Sequence, residues 1–102
     1  MRVSWSPHAC SQILEIFEYI ARDRPLAAEH LVERFAERVQ LLAEFPLQGP
    51  VWGAGRRRDL HEITFEGHRI VYRVTSDEVS VLSVRHARMQ PETLDPLDDE
   101  PK

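Results

Sequence analysis

Arginine carries most of the chemistry open to this sequence. From Glu66 to Val74 the chain reads EGHRIVYRV, which sets Arg69 and Arg73 in an otherwise strand-like run. Arg85, His86 and Arg88 follow the apolar run Val79–Val84, and Arg56, Arg57 and Arg58 stand together ahead of both. A guanidinium grips phosphate through two parallel N–H···O bonds. A sheet face lined by Arg and His would therefore suit a phosphate-bearing partner. Neighbours in a strand point to opposite faces. Ile70, Tyr72 and Val74 thus share one side of the middle strand, and Arg69, Val71 and Arg73 the other. A plainer account stands beside this one, because a sheet covered on one side turns polar residues outward for solubility alone. For Arg73 the plainer account is preferred, and for Arg56–Arg58 a solvated loop end serves as well as a site. His86 suits a strand end, while His8, His30, His61 and His68 are expected at the surface. Trp52, in a glycine-rich loop, either caps the core or stacks on a base.

The elements that must position these residues follow from pattern. Residues 2–5 read as a short strand. Ser6-Pro7 supplies an N-cap followed by proline at the first helical position. Ile13, Leu14, Phe17, Ile20 and Ala21 then recur at helical spacing. Arg22-Asp23-Arg24 interrupts, Pro25 opens a second helix, and Ala28, Leu31, Val32, Phe35, Val39 and Leu42 form its apolar face. Phe45-Pro46 ends it, since the residue before proline disfavours the helical region. So short a break predicts an antiparallel helical hairpin. Residues 46–58 form a loop punctuated by Pro46, Gly49, Pro50, Gly53 and Gly55. Three strands follow, Asp59–Phe65, His68–Thr75 and Glu78–His86. Glu66-Gly67 and Ser76-Asp77 are the turns between them. The order β-α-α-β-β-β predicts an α+β domain with the hairpin on one face of a small antiparallel sheet.

With 102 residues the chain fits one domain. Its single cysteine, Cys10, excludes a disulfide framework and a cysteine-based zinc site, and points to the cytoplasm. Arg2, Pro7, Glu15 and Glu18 interrupt the apolar run that a signal peptide would need. No segment approaches the ~20 apolar residues of a membrane span. The net charge of −4 is unevenly placed. Glu92, Asp95, Asp98, Asp99 and Glu100 stand against Lys102 alone, while residues 1–91 balance twelve arginines with twelve acids. Residues 1–89 are therefore read as the domain and 90–102 as an acidic, mobile tail that masks the charge of the body. Nothing in the sequence implies a cofactor or a metal.

Residues 1–88 resemble the RelE/ParE superfamily of bacterial toxins. VSWSPHACSQILEIFEYIARDRPLAAEHLVERF is similar to that family's first strand and helical hairpin. LLAEFPLQGP matches its Leu-x-x-Phe-Pro-x-x-Gly, RRRDLHEITFEGHRIVYRV its strand pair, and VSVLSVRHARM its last strand. The resemblance implies the toxin of a type II toxin–antitoxin module, held inactive by a cognate antitoxin, ParD-like or another small acidic protein. That partner would lie against the helices or the sheet edge, and operator DNA would be met only through it.

Two branches share the fold, one cutting mRNA on the ribosome and the other, ParE-like, inhibiting DNA gyrase. Arg69 falls where the family places its phosphate-stabilising arginine. The lysines that cutters carry in the preceding strand are replaced here by Glu62 and Thr64. The tyrosine or His-Tyr pair that follows their last strand is absent from MQPETLDPLDDEPK. A cutter built from this chain would have to use Glu62 as base, His86 as acid and Arg69 on the phosphate. Leu-His-Glu-Ile followed by Gly-His-Arg-Ile-Val-Tyr-Arg is closer to ParE. The expectation is a non-catalytic gyrase inhibitor with Arg58, Arg69, Arg85 and Arg88 toward the target. An mRNA endoribonuclease and a non-toxic co-repressor are the alternatives.

Overall fold

The structure, a computed structural model, describes residues 1–52 and 58–88. The expectations for Gly53, Gly55, Arg56 and Arg57, and for the tail 90–102, lie outside these residues. The elements are strand β1 (Arg2–Trp5), helix α1 (Pro7–Ala21), helix α2 (Pro25–Gln40), a 3-10 turn (Leu41–Ala43), and strands β2 (Leu60–Phe65), β3 (His68–Val74) and β4 (Glu78–His86). Local chemistry explains most boundaries. The Ser6 hydroxyl accepts the Ala9 N–H at 3.0 Å and donates to the Leu82 carbonyl at 3.2 Å, so the N-cap also staples α1 to β4. Pro7 and Pro25 occupy the first helical turns. Glu66 and Gly67 both have positive φ, 47° and 78°, as a two-residue hairpin turn with the right twist requires.

The sheet has four strands in the order β1-β4-β3-β2. β2, β3 and β4 form the expected antiparallel meander. β1 was not placed by pattern; it pairs parallel to β4, with Arg2 opposite Glu78 and Trp5 opposite Val81, so the sheet is mixed. The core lies between the sheet and the two helices. Ala9, Leu31, Phe35, Val39 and Leu42 pack there on Ile63, Ile70, Tyr72, Val79, Val81 and Val84. α1 turns Ile13, Ile16 and Ile20 inward, whereas Leu14, expected on that face, is 55 % exposed. α2 gives way to the 3-10 turn after Gln40, five residues before Phe45-Pro46.

His61 and His68, expected at the surface, are buried. Their position in the alternation explains it, since His61 shares a face with Ile63 and His68 with Ile70 and Tyr72. His61 Nδ1–H donates to the Gly49 carbonyl at 2.8 Å, and its ring stacks on Tyr72. His68 Nδ1–H donates to the Glu66 carbonyl at 3.0 Å, and its ring stands edge-on to Phe35. Both satisfy a polar atom within the core, as buried imidazoles must.

Candidate functional site

β4 carries one residue more than β3 opposes. Val71 pairs with Ser83 and Tyr72 with Val81, leaving Leu82 as a bulge. Before the bulge, Val79 and Val81 face the helices; after it, Val84 does. The extra residue inverts the phase of the strand. Arg85 therefore stands opposite Arg69, on the face turned away from the helices, and His86 opposite His68, on the helix side. The His86 and His68 rings meet edge to face with centroids 5.3 Å apart.

The face away from the helices is built of cross-strand rows. Thr64, Arg69 and Arg85 form one, Glu62, Val71 and Ser83 the next, and Leu60, Arg73 and Ser80 a third. Two arginines directly opposite one another concentrate positive charge in the first row. Arg69 is half-buried, and its Nη2 donates to the Ala87 carbonyl at 3.0 Å. The Ala87 N–H in turn donates to the Gly67 carbonyl at 2.7 Å, and Arg88 N–H to His86 Nδ1 at 3.1 Å. These bonds fasten the end of β4 to the β2–β3 turn and hold Arg69 and Arg88 at one end of the sheet. Arg58 precedes β2 at the other end, roughly 20 Å away at ~3.3 Å per residue. Arg69 and Arg85 thus come together, Arg88 follows in the chain at the same end of the sheet, and Arg58 does not join them. Arg73 faces the same side, in a cavity of about 340 Å³ shared with Ser4, Ser80, Glu78 and Leu82.

Glu62 and Arg69 share the face turned away from the helices, whereas the His86 imidazole sits against His68 on the other side of the sheet. The three groups a cutting mechanism would need do not converge in this arrangement. His86 Nδ1 is also committed as an acceptor to Arg88 N–H, which leaves its Nε2 to carry the proton.

A second surface lies on the helices and the sheet edge, where the sequence pointed to a partner without singling out the residues. Trp5, Cys10, Ile13, Val32, Phe35 and Ala36 line an apolar groove of about 250 Å³ between α1, α2 and β1. Leu14, Tyr19 and Leu26 are large apolar residues exposed on the same two helices. The outer edge of β1 lies beside the groove. Arg2 and Ser6 donate to Asp77 and Val81 of the β4 side. By alternation the N–H and C=O of Val3 and Trp5 point away from the sheet. The signal for this groove was the excess of apolar residues on α1, more than one buried stripe requires. A third feature, unread in the sequence, is the pairing of Arg34 on α2 with Glu66 at the hairpin turn. The Arg34 guanidinium holds the Glu66 carboxyl below its usual range, and the carboxylate raises Arg34.

The comparisons agree with this architecture. Residues 3–91 match the family profile described as ParE toxin of type II toxin-antitoxin system, parDE. A curated relative from Sinorhizobium fredii (strain NBRC 101917 / NGR234), named "Putative toxin Y4kP", is 35 % identical over 91 residues, covering 87 % of this chain and 91 % of the relative. A solved structure titled "Chromosomal ParDE TA system from P. aeruginosa" superposes with a TM-score of 0.72 at 20 % identity, covering 86 % of this chain and 97 % of that one, a likeness of fold. No helix among the described residues is long and apolar enough to cross a membrane. The chain belongs to the ParE toxin family of type II toxin–antitoxin systems.

Proposed function

We propose that this ParE-family toxin acts in the bacterial cytoplasm by binding DNA gyrase rather than by cutting RNA, and that a cognate antitoxin neutralises it. The observation that supports binding over cleavage is the split between Arg69 and Arg85 on one face of the sheet and His86 on the other. Cationic groups there can hold an anionic surface, whereas Glu62 and His86, the base and acid that a cutter built from this chain would use, lie on opposite faces of the sheet. General acid–base cleavage needs both groups within hydrogen-bond reach of the reacting atoms. The apolar groove and the open edge of β1 suit an antitoxin segment that inserts an amphipathic helix and adds a strand. Operator DNA would then be contacted through the antitoxin, in a module that arrests growth when the antitoxin is lost and so stabilises a plasmid.

Purified protein is to be assayed side by side on gyrase supercoiling and on ribosome-bound mRNA. Inhibition of supercoiling that weakens in Arg85→Ala and Arg69→Ala is the expected result. Cleavage of the mRNA with supercoiling untouched would overturn the proposal in favour of an endoribonuclease. Absence of growth arrest on expression would instead favour a non-toxic co-repressor.

A further inference from the structure

The end of β4 is fastened through a titratable ring. The Arg88 N–H donates to His86 Nδ1 at 3.1 Å, a bond that runs back two residues to an exposed side chain. Beside it the Ala87 N–H donates to the Gly67 carbonyl at 2.7 Å, and Arg69 Nη2 donates to the Ala87 carbonyl at 3.0 Å. Of these bonds, the one to His86 depends on a charge that an imidazole changes between about pH 5 and 8. A neutral imidazole offers one nitrogen as acceptor, and an imidazolium offers none. Turning the ring over cannot restore the bond once both nitrogens carry protons.

The surroundings direct a proton to this ring. His68 on β3 stands opposite His86, edge to face with centroids 5.3 Å apart. Two imidazoles so close resist carrying charge together. His68 is 8 % exposed, and its Nδ1–H is committed to the Glu66 carbonyl. Burial first, and His86 as well, hold the His68 pKa below its ordinary value. A positive charge on the pair is therefore better solvated at the exposed His86. The charged groups around the pair come from several elements. Glu66 in the turn acts on His68, and both its carboxylate oxygens are bonded to Arg34 of α2. α1 reaches this part of β4 through the neutral Gln12, whose Oε1 accepts the Val84 N–H at 2.7 Å. Arg85 precedes the ring on the opposite face, and Arg88 follows it in the chain.

We propose that His86 is a pH-sensitive clasp: a proton taken up at Nδ1 opens the bond to the Arg88 N–H and loosens the end of β4 on which Arg69 is anchored. With the clasp closed, Arg69 is held against the Ala87 carbonyl. With it open, Arg69 and Arg88 gain freedom at that end of the sheet, and any partner that meets them there meets a different surface. This goes beyond the toxin reading and does not depend on gyrase being the target.

The test is NMR on the full, nitrogen-15-labelled chain at pH 7.5 and pH 5. The imidazole nitrogen shifts report which nitrogens of His86 carry protons. The scalar coupling between the Arg88 amide nitrogen and His86 Nδ1 reports the bond itself. Amide temperature coefficients of Ala87 and Arg88, with Val84 as the control further up the strand, report release of the end. His86→Asn supplies an oxygen that can accept from the N–H two residues on and does not titrate, and His86→Phe supplies no acceptor. Loss of the coupling at pH 5 is expected, with the Ala87 and Arg88 coefficients moving to solvent-exposed values and Val84 unchanged. His86→Asn should keep bonded values at both pH values, and His86→Phe should show exposed values at both. A bond that survives at pH 5 in the native chain, whether or not His86 has taken a proton, would overturn the clasp. Release in His86→Asn equal to that of the native chain would place the titrating group elsewhere and overturn it too. An equal change at Val84 would mean that the strand melts as a whole, with the same consequence.

Discussion

Replacing Tyr72 by Phe removes one oxygen from a site where the loop after α2 is locked to the sheet. The Gly49 N–H donates to the Tyr72 hydroxyl at 2.9 Å, and the Gly49 carbonyl accepts from His61 Nδ1 at 2.8 Å. Glu62 N–H donates to the Pro50 carbonyl at 3.0 Å, and Trp52 N–H to the Leu60 carbonyl at 2.8 Å. Gly49 is buried, so the variant leaves its N–H without a partner and without water. An orphaned buried donor costs about 1–3 kcal/mol. In a domain of this size each kcal/mol lowers Tm by about 4–8 °C, so a loss of at least about 4 °C is expected in a thermal melt. Gly49→Ala should cost more. A Cβ there would lie 2.4 Å from the Glu62 carbonyl oxygen, 2.8 Å from Ile63 Cγ2 and 2.9 Å from the Tyr72 hydroxyl. The nearest of these is backbone within the sheet and cannot rotate aside. Overpacking alone costs about 1–3 kcal/mol, and displacing Gly49 would break its bonds as well. A Tyr72→Phe melt within a degree of the native protein, or Gly49→Ala milder than Tyr72→Phe, would refute the lock.

Ser6→Ala removes the α1 cap and the staple to Leu82, and about 1 kcal/mol of stability should be lost in urea unfolding. Burial holds His68 below its ordinary pKa of 6.5, so the unfolded chain binds the proton more tightly. Stability is then full above about pH 6.5 and falls as the pH drops through the lower folded value, by about 1.4 kcal/mol per tenfold difference in proton affinity. The urea midpoint should be lower at pH 5 than at pH 7.5, and His68→Phe should flatten that dependence. Val32→Arg places a charge in the helix groove at a half-buried position. If an antitoxin segment fills this groove, its affinity should fall more than about tenfold in a pull-down titration while Tm changes little.

Much of the fold was legible because its signals are local. Ser6-Pro7 marks the start of α1, and Glu66-Gly67 marks a turn that needs positive φ, so both could be read from neighbouring residues. The pairing of β1 with β4 joins Arg2 to Glu78 across most of the chain, and no local pattern encodes such a contact. The burial of His61 and His68 was present in the alternation, but residue type was allowed to override position. On α1 the inward face carries Ile16 in place of Leu14. Apolar residues stand on nearly every side of that helix, so its period alone does not fix which of them is buried.

The site was legible in its residues and not in their grouping, and Leu82 is the reason. Counted by strict alternation from Val79 and Val81, Arg85 would fall on the helix side and His86 would join Arg69 and Glu62 on the face turned away from the helices. That grouping would place an acid, a base and a phosphate-binding cation together, the set an RNA-cutting mechanism needs. The bulge exchanges the two positions. Arg85 comes round to Arg69, doubling the positive charge, and His86 is carried to His68, where its Nδ1 secures Arg88. A single extra residue in one strand therefore sets the two arginines together and keeps His86 apart from Glu62. Bulges bend the strand and re-aim the side chains beyond them, and here the side chains re-aimed are the two on which the choice between binding and cutting turns.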